Sequence, residues 1–220
     1  MEKKQSELCL EILRRFHRNG ILNDFILIGS WCVYFYKDYF SNIPYIDQTT
    51  LKTRDIDFMI DNPNRIKSAV DIPELLKDLG FVTTFKGKGT DKPHPLPKLG
   101  INAVALRFLS FLSSDTIKVK VEDFYLTLPH PVNFALHKLI ISQRRVRKEK
   151  AIKDRDTAIK ILKFLINKGE ANAIRKVFDS VPKKWQKKIV KGLEEQAVKE
   201  SGIEAEIPSL EEIKNWLRKE

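Results

Sequence analysis

The stretch FILIGS, residues 25–30, constrains the fold more than any other part of the chain. The apolar run from Phe25 to Ile28 predicts a short strand buried on both faces, because no charge interrupts it. Gly29 and Ser30 then end the strand, and the aromatic-rich segment 31–40 predicts a helix. This is either a plain strand-to-helix turn or a turn whose backbone N–H groups face the phosphates of a ligand.

A second motif, RDIDFMI at 54–60, alternates charged and apolar residues, which is typical of a strand with one buried face. Side chains two positions apart on a strand share a side, so Asp55 and Asp57 are expected to project together. Two carboxylates so close repel each other unless a cation lies between them, and Mg²⁺ prefers oxygen ligands of this kind. The alternative is a pair of solvated acids on an exposed strand, paired with Arg54 or Lys52.

The rest of the chain predicts an α+β protein with two domains, 1–128 and 129–220. In the first we expect a short mixed sheet flanked by helices: an N-terminal helix over 5–18, a loop at 42–53 and a helix over 65–79. This domain continues with a short strand at 81–85 and a Gly/Pro/Lys-rich loop at 86–100. It ends with a hairpin that pairs 102–112 with 117–127 and turns at Ser-Ser-Asp. The second domain reads as all helical, with predicted helices at 132–145, 149–168, 171–179, 183–199 and from 209.

Charge is spread unevenly over a chain whose formal net charge is +11. Residues 1–128 hold 18 Lys and Arg against 16 Asp and Glu, whereas 129–220 hold 22 against 13, a net charge of +9. A basic excess favours polyanions such as RNA, although solvated Lys-rich helices give the same count. No run is long and apolar enough to span a membrane, no signal peptide is evident, and the two cysteines suggest neither disulfide nor metal knuckle, so we expect a cytoplasmic protein.

Taken together, LIGSWCVYFY (27–36) and TRDIDFMI (53–60) resemble the signature of the DNA polymerase β-type nucleotidyltransferase superfamily. The segment LPHPVNFALHKLIISQRRVRKEKAIKDRDTA (128–158) is similar to the start of the helical half in bacterial and archaeal members, including minimal and toxin-like ones. The resemblance implies a nucleotidyltransferase fold and transfer of NMP from ATP or another NTP, with release of pyrophosphate. The acceptor would be a hydroxyl or phosphate of RNA, tRNA or a protein, and an antitoxin-like protein partner is plausible by analogy.

By position, the resemblance implies that Asp55 and Asp57 hold Mg²⁺ or Mn²⁺ and that Gly29 and Ser30 bind the β- and γ-phosphates. Lys138 is the candidate for a triphosphate or acceptor contact; alternatively, it extends beside apolar neighbours on an amphipathic helix. Lys153 and Asp154 are more typical of a structural charge pair than of catalytic residues.

Two departures from the superfamily pattern weaken the case for catalysis. The 24 residues between Ser30 and Asp55 exceed the usual spacing and imply an inserted loop. Active members also carry a third carboxylate on a later strand, for which Asp123 and Glu122 are the candidates here. The alternative, which a long distance between these carboxylates and the acid pair would favour, is an inactive module that binds nucleotide or nucleic acid and acts in regulation or in a toxin–antitoxin pair.

Overall fold

The computed structural model describes residues 2–37, 39–40, 55–60, 70–79, 100–104, 110–194, 213, 215 and 217. The chain divides into two compact units, one of residues 1–35 and 47–128 and the other of 36–46 and 129–220. The sequence assigned segment 36–46 to the first domain, whereas the structure groups it with the second unit. The predicted strand at 81–85 and the loops at 42–53 and 86–99 lie outside the described residues.

The first unit is built on a five-stranded mixed sheet. Helix α1 (Glu2–Arg18) and a short 3-10 turn (Ile21–Asn23) precede strand β1 (Phe25–Ile28) and helix α2 (Trp31–Phe35). These elements are followed by strand β2 (Asp55–Ile60), helix α3 (Ile72–Leu75), a second 3-10 turn (Lys77–Leu79), strand β3 (Gly100–Val104) and helix α4 (Ser110–Ser113). Strands β4 (Thr116–Val121) and β5 (Phe124–Pro129) complete a sheet of order β3-β2-β1-β5-β4.

Strand β1 lies in the centre of this sheet, antiparallel to β2 and parallel to β5, while β2 is parallel to β3. All four of its residues are buried, which confirms the predicted central strand. On one face the rings of Phe16, Phe25 and Phe58 have centroids 5.4 to 6.1 Å apart and fix α1 to the sheet. On the other face Ile26, Ile28, Met59 and Leu112 form a buried cluster.

The hairpin of the first unit joins β4 to β5, not 102–112 to 117–127 as predicted. Its two-residue turn is Glu122-Asp123, and Glu122 has φ 53°, a left-handed conformation that such tight hairpin turns require. The predicted turn at Ser-Ser-Asp instead overlaps the end of α4, and the sequence assigned three of the four residues of this helix to a strand.

The second unit is helical, with α5 (Pro131–Ser142), α6 (Lys148–Asn167), α7 (Ala171–Ser180) and α8 (Lys183–Glu194). Helix α5 is its core, because all but two of its residues are buried. Segment 36–40 joins this unit through side chains: the Tyr36 hydroxyl donates to the Pro129 carbonyl at 2.8 Å, and the Tyr39 hydroxyl donates to Glu170 at 2.7 Å. The four predicted helices between 132 and 199 are thus confirmed where the chain is described.

No helix in the described part of the chain is long and apolar enough to cross a membrane.

Candidate active site

The two predicted metal ligands lie on one face of β2. Ile56 and Phe58, which alternate with them, are 0% and 1% exposed and belong to the face that packs against α1. Asp55 and Asp57 therefore project from the opposite face, Asp55 exposed and Asp57 half-buried. Asp57 lies next to Ile28, the last residue of β1, so the acids are at the end of the sheet where β1 gives way to Gly29.

Gly29 lies directly against one of these acids. Its φ of +77° is in the left-handed region, and a Cβ built on it would lie 2.5 Å from Oδ2 of Asp57. Any side chain at position 29 would therefore displace the Asp57 carboxylate as well as strain the backbone. The structure thus brings the Gly-Ser turn and the acid pair together. It also explains why residue 29 is glycine, which the sequence did not show: the Asp57 carboxylate fills the space that a side chain at position 29 would occupy.

Ser30 continues the turn into α2. The Cys32 N–H donates to the Gly29 carbonyl at 3.3 Å and the Val33 N–H donates to the Ser30 carbonyl at 3.1 Å. Helix α2 has only five residues, shorter than the predicted helix over 31–40. A helix this short has a small dipole, so anion binding at the turn would depend on individual N–H groups and on the half-buried Ser30 hydroxyl.

Neither predicted third carboxylate reaches the acid pair. Thr127 of β5 lies beside Ile26 and Asp57 lies beside Ile28, so the turn at Glu122-Asp123 is six residue steps, or about 20 Å, down the sheet from Asp57. Carboxylates that share a metal site must lie within about 4 to 5 Å of each other. The structure does not bring Asp123 or Glu122, the predicted catalytic carboxylates, to the acid pair, because both form a turn at the far end of the sheet.

Glu122 has a different partner. Its two carboxylate oxygens accept from Nε and Nη2 of Arg14 at 2.7 and 2.6 Å, and this guanidinium lowers the pKa of Glu122 below its usual range. The bidentate pair links α1 to the β4–β5 turn. Glu122 is therefore a surface group that joins two elements of the first unit.

Asn102 is the residue that sequence reasoning overlooked. Strand β3 runs parallel to β2 with Asn102 beside Asp57, so the two Cα atoms are one strand spacing, about 4.8 Å, apart. The sequence did contain a signal, since Asn102 is the single hydrogen-bonding side chain in the strand GINAV. Position 102 is thus the backbone neighbour of Asp57 on the side of β2 away from β1.

Lys138 lies in the second unit, where its charge is paired. It is 7% exposed, and its Nζ donates to Oδ1 of Asp154 at 2.5 Å, while Nε of Arg145 donates to the other oxygen of Asp154 at 2.7 Å. The ammonium is buried together with its stem, and Nζ lies 5.4 Å from the centroid of the Phe134 ring. Because breaking a buried pair leaves an uncompensated charge, the contact supports a structural role for Lys138 and Asp154.

The acid pair is the whole of the candidate metal site that the structure describes. Among the described residues, no three His, Cys, Asp or Glu side chains are grouped closely enough to hold a metal ion. Two carboxylates on one strand nevertheless fit Mg²⁺ or Mn²⁺, since these ions take few protein ligands and complete their shells with water and phosphate oxygens.

A family model described as Nucleotidyltransferase matches residues 77–177, slightly less than half of the chain. The match confirms the predicted resemblance to nucleotidyltransferases and, with the mixed sheet and the helices, the α+β fold. It begins after the Gly-Ser turn and the acid pair, so the candidate site residues rest on their own geometry. No significant match was found among curated proteins or among solved structures.

Proposed function

We propose that this chain is a metal-dependent nucleotidyltransferase that moves NMP from an NTP to an acceptor. In this reaction an acceptor oxygen forms a bond to the α-phosphorus, the bond from that phosphorus to the β-phosphate oxygen breaks, and pyrophosphate leaves with its electron pair. The acceptor loses its proton to a base. The family match supports nucleotidyl transfer in general terms, and the metal, the NTP and the acceptor are part of the proposal.

The contact between Gly29 and Asp57 carries the proposal. It places the backbone of the Gly-Ser turn beside a carboxylate that projects from the same face of β2 as Asp55. A bound Mg²⁺ would neutralise phosphate charge and polarise the P–O bonds. In this arrangement Asp55 and Asp57 hold the metal, and the turn at Gly29 and Ser30 holds the β- and γ-phosphates through N–H groups and a hydroxyl.

The proposed acceptor follows from the positive charge of the second half of the chain. The chain from 129 to 220 has a net charge of +9, which attracts polyanions such as RNA or tRNA and repels small cationic substrates. A protein hydroxyl is the other acceptor that this charge allows.

A second candidate function is favoured by one observation, the distance between the acid pair and the predicted third carboxylates. With Asn102 next to Asp57 and with Glu122 and Asp123 about 20 Å away along the sheet, the described residues provide no third carboxylate at the acid pair. Such a chain would bind a metal–nucleotide complex without transferring NMP, and would act as a regulatory or interaction module.

One assay separates the two candidates. The purified protein is incubated with each NTP radiolabelled at its α-phosphate, Mg²⁺ and total RNA, and label transfer and pyrophosphate release are followed. We expect transfer by the wild type and none by Asp55→Asn/Asp57→Asn. The matched control, Asp115→Asn/Asp123→Asn, removes two exposed acids of the same unit and should transfer normally. Absence of transfer with every NTP, while metal-dependent nucleotide binding persists, would favour the inactive module.

A further inference from the structure

The connection between α5 and α6 carries a group of exposed cations. Arg147, Lys148 and Lys150 are all exposed, and they lie within one helical turn of each other, about 5 Å along the axis of α6. Val146, which precedes them, is 98% exposed, so a side chain at this point contacts almost nothing else in the protein. Residues 146–150, the basic connection, therefore project from the surface of the second unit.

The residues that lead into the basic connection are held in place. The Arg144 N–H donates to the Ile141 carbonyl at 2.9 Å and the Arg145 N–H donates to the Ser142 carbonyl at 3.4 Å, which fixes the backbone at the end of α5. Nε of Arg145 also donates to Oδ2 of buried Asp154 on α6 at 2.7 Å. A surface whose backbone is fixed beforehand loses less conformational entropy when it binds a partner.

The cations of the basic connection have no acidic partner in the described part of the chain. Arg147, Lys148 and Lys150 form no ion pair there, and the one acid among them, Glu149, is exposed and forms none either. Their position does not stabilise α6, because the N-terminal end of a helix carries partial positive charge and disfavours cations. An anion bound against them would relieve this repulsion.

We propose that the basic connection binds the phosphate backbone of RNA through Arg147, Lys148 and Lys150. The choice of RNA rests on the proposed function, in which RNA supplies the acceptor. Three exposed cations in sequence suit phosphates repeated along a strand, because each contact releases a counterion. Contacts of this kind position a strand without reading its bases, so the surface should bind RNA of any sequence.

A protein partner or a membrane surface fits the basic connection less well. Protein interfaces are depleted of lysine and centred on aromatic anchors, whereas residues 143–150 contain no aromatic residue and only one apolar residue, Val146. A single exposed valine is ordinary on a protein surface. A segment that lies on a membrane needs a whole apolar side, which one valine does not provide.

The proposal is tested by the anisotropy of a fluorescently labelled single-stranded RNA, measured at several salt concentrations without NTP or metal. Arg147→Gln/Lys148→Gln/Lys150→Gln removes three phosphate contacts. The slope of log K against log salt should therefore decrease by about 2, and at 0.1 M salt the affinity should fall on the order of 100-fold.

The matched control is Lys118→Gln/Lys120→Gln/Lys176→Gln. It removes three exposed lysines of β4 and α7, so it changes the net charge by the same amount. This control should bind RNA within about twofold of the wild type.

Glu149→Gln provides a check that damage to the fold cannot imitate. It removes the acid among the three cations, so it should bind RNA more tightly than the wild type. Val146→Ser should leave the affinity for RNA unchanged, because the proposed contacts are made by the cations alone.

Three results would overturn the proposal. They are equal affinities of the triple variant and its control, unchanged or weaker RNA binding by Glu149→Gln, and binding of the wild type to anionic phospholipid vesicles or an acidic peptide but not to RNA. Asp55→Asn/Asp57→Asn should bind RNA as the wild type does. Absence of NMP transfer while the basic connection binds RNA would count against the proposed function alone, whereas NMP transfer to RNA that is insensitive to these cations would count against this surface alone.

Discussion

Gly29 and Asp57 occupy adjoining space: the position of a Cβ on Gly29 is 2.5 Å from Oδ2 of Asp57, and residue 29 has φ +77°. The glycine that ends the central strand and the acid on the next strand therefore depend on each other. This relationship ties the two sequence motifs, FILIGS at 25–30 and RDIDFMI at 54–60, into one site.

Replacement of Gly29 by alanine should damage both stability and the site. A left-handed alanine costs about 1 to 2 kcal/mol, and the overlap with Asp57 adds to that cost. Gly169→Ala is the matched control, because Gly169 has φ +84° but a Cβ there would meet nothing within 4 Å. Urea unfolding should show the larger loss for Gly29→Ala, and only this variant should lose metal-dependent nucleotide binding. Equal losses in the two variants would show that Asp57 is not constrained by residue 29.

Conservative replacement of the hairpin acids should leave catalysis intact. In Glu122→Gln/Asp123→Asn the changed groups lie at the far end of the sheet from Asp57, so the rate of NMP transfer should stay within about twofold of the wild type. A general base contributes about 10²- to 10⁴-fold, so a drop of that size would restore one of these acids to the mechanism. Single-turnover assays with labelled NTP make the comparison.

Removal of one partner of the buried Lys138–Asp154 pair should lower the stability of the protein. Asp154→Ala leaves the Lys138 ammonium without its carboxylate partner at a site where the two side chains are 9% and 7% exposed, so the free energy of unfolding should fall by about 3 to 5 kcal/mol. Lys138→Met should cost less, because Arg145 still neutralises Asp154. Asp179→Ala, which breaks the exposed pair with Arg175, should cost less than about 1 kcal/mol. If Lys138→Met instead weakens NTP binding by folded protein, Lys138 contacts the triphosphate.

Stability should decline on acidification because of His137. Burial, with a smaller contribution from Lys138, lowers the pKa of His137 from 6.5 to about 4. Between these values the unfolded chain binds a proton that the folded chain does not, so stability is fully present above pH 6.5 and is lost as the pH falls toward 4. The loss is on the order of 3 kcal/mol. Urea unfolding of His137→Gln at several pH values should show a flatter profile than the wild type, and a slope equal to that of the wild type would contradict this account.

The parts of the fold that could be predicted have strong local patterns. Unbroken apolar character identified β1, alternation identified β2 and its acid-bearing face, and helical periodicity identified α1 and α5 to α8. These signals work because each element buries a regular subset of its own residues.

The failures involve long-range contacts or unusual turn residues. The β4–β5 turn uses Glu122 at positive φ, where glycine or asparagine would have marked it, and Arg14 of α1 pairs with that glutamate across the first unit. Helix α2 was predicted too long because the aromatics that follow it, Tyr36 and Phe40, pack on Phe134 and Phe164 in the second unit. The pairing of Asn102 with Asp57 depends on strand register, which no local pattern fixes.

The binding of a metal–nucleotide complex by the acid pair is the central claim. Its most direct test is electron paramagnetic resonance of Mn²⁺ with the protein and an NTP analogue that cannot release pyrophosphate. The wild type should bind the nucleotide and immobilise Mn²⁺ with it. Asp55→Asn/Asp57→Asn should bind neither the ion nor the nucleotide. Asp115→Asn/Asp123→Asn should match the wild type. Nucleotide binding that is independent of Mn²⁺, or that survives in Asp55→Asn/Asp57→Asn, would contradict the assignment.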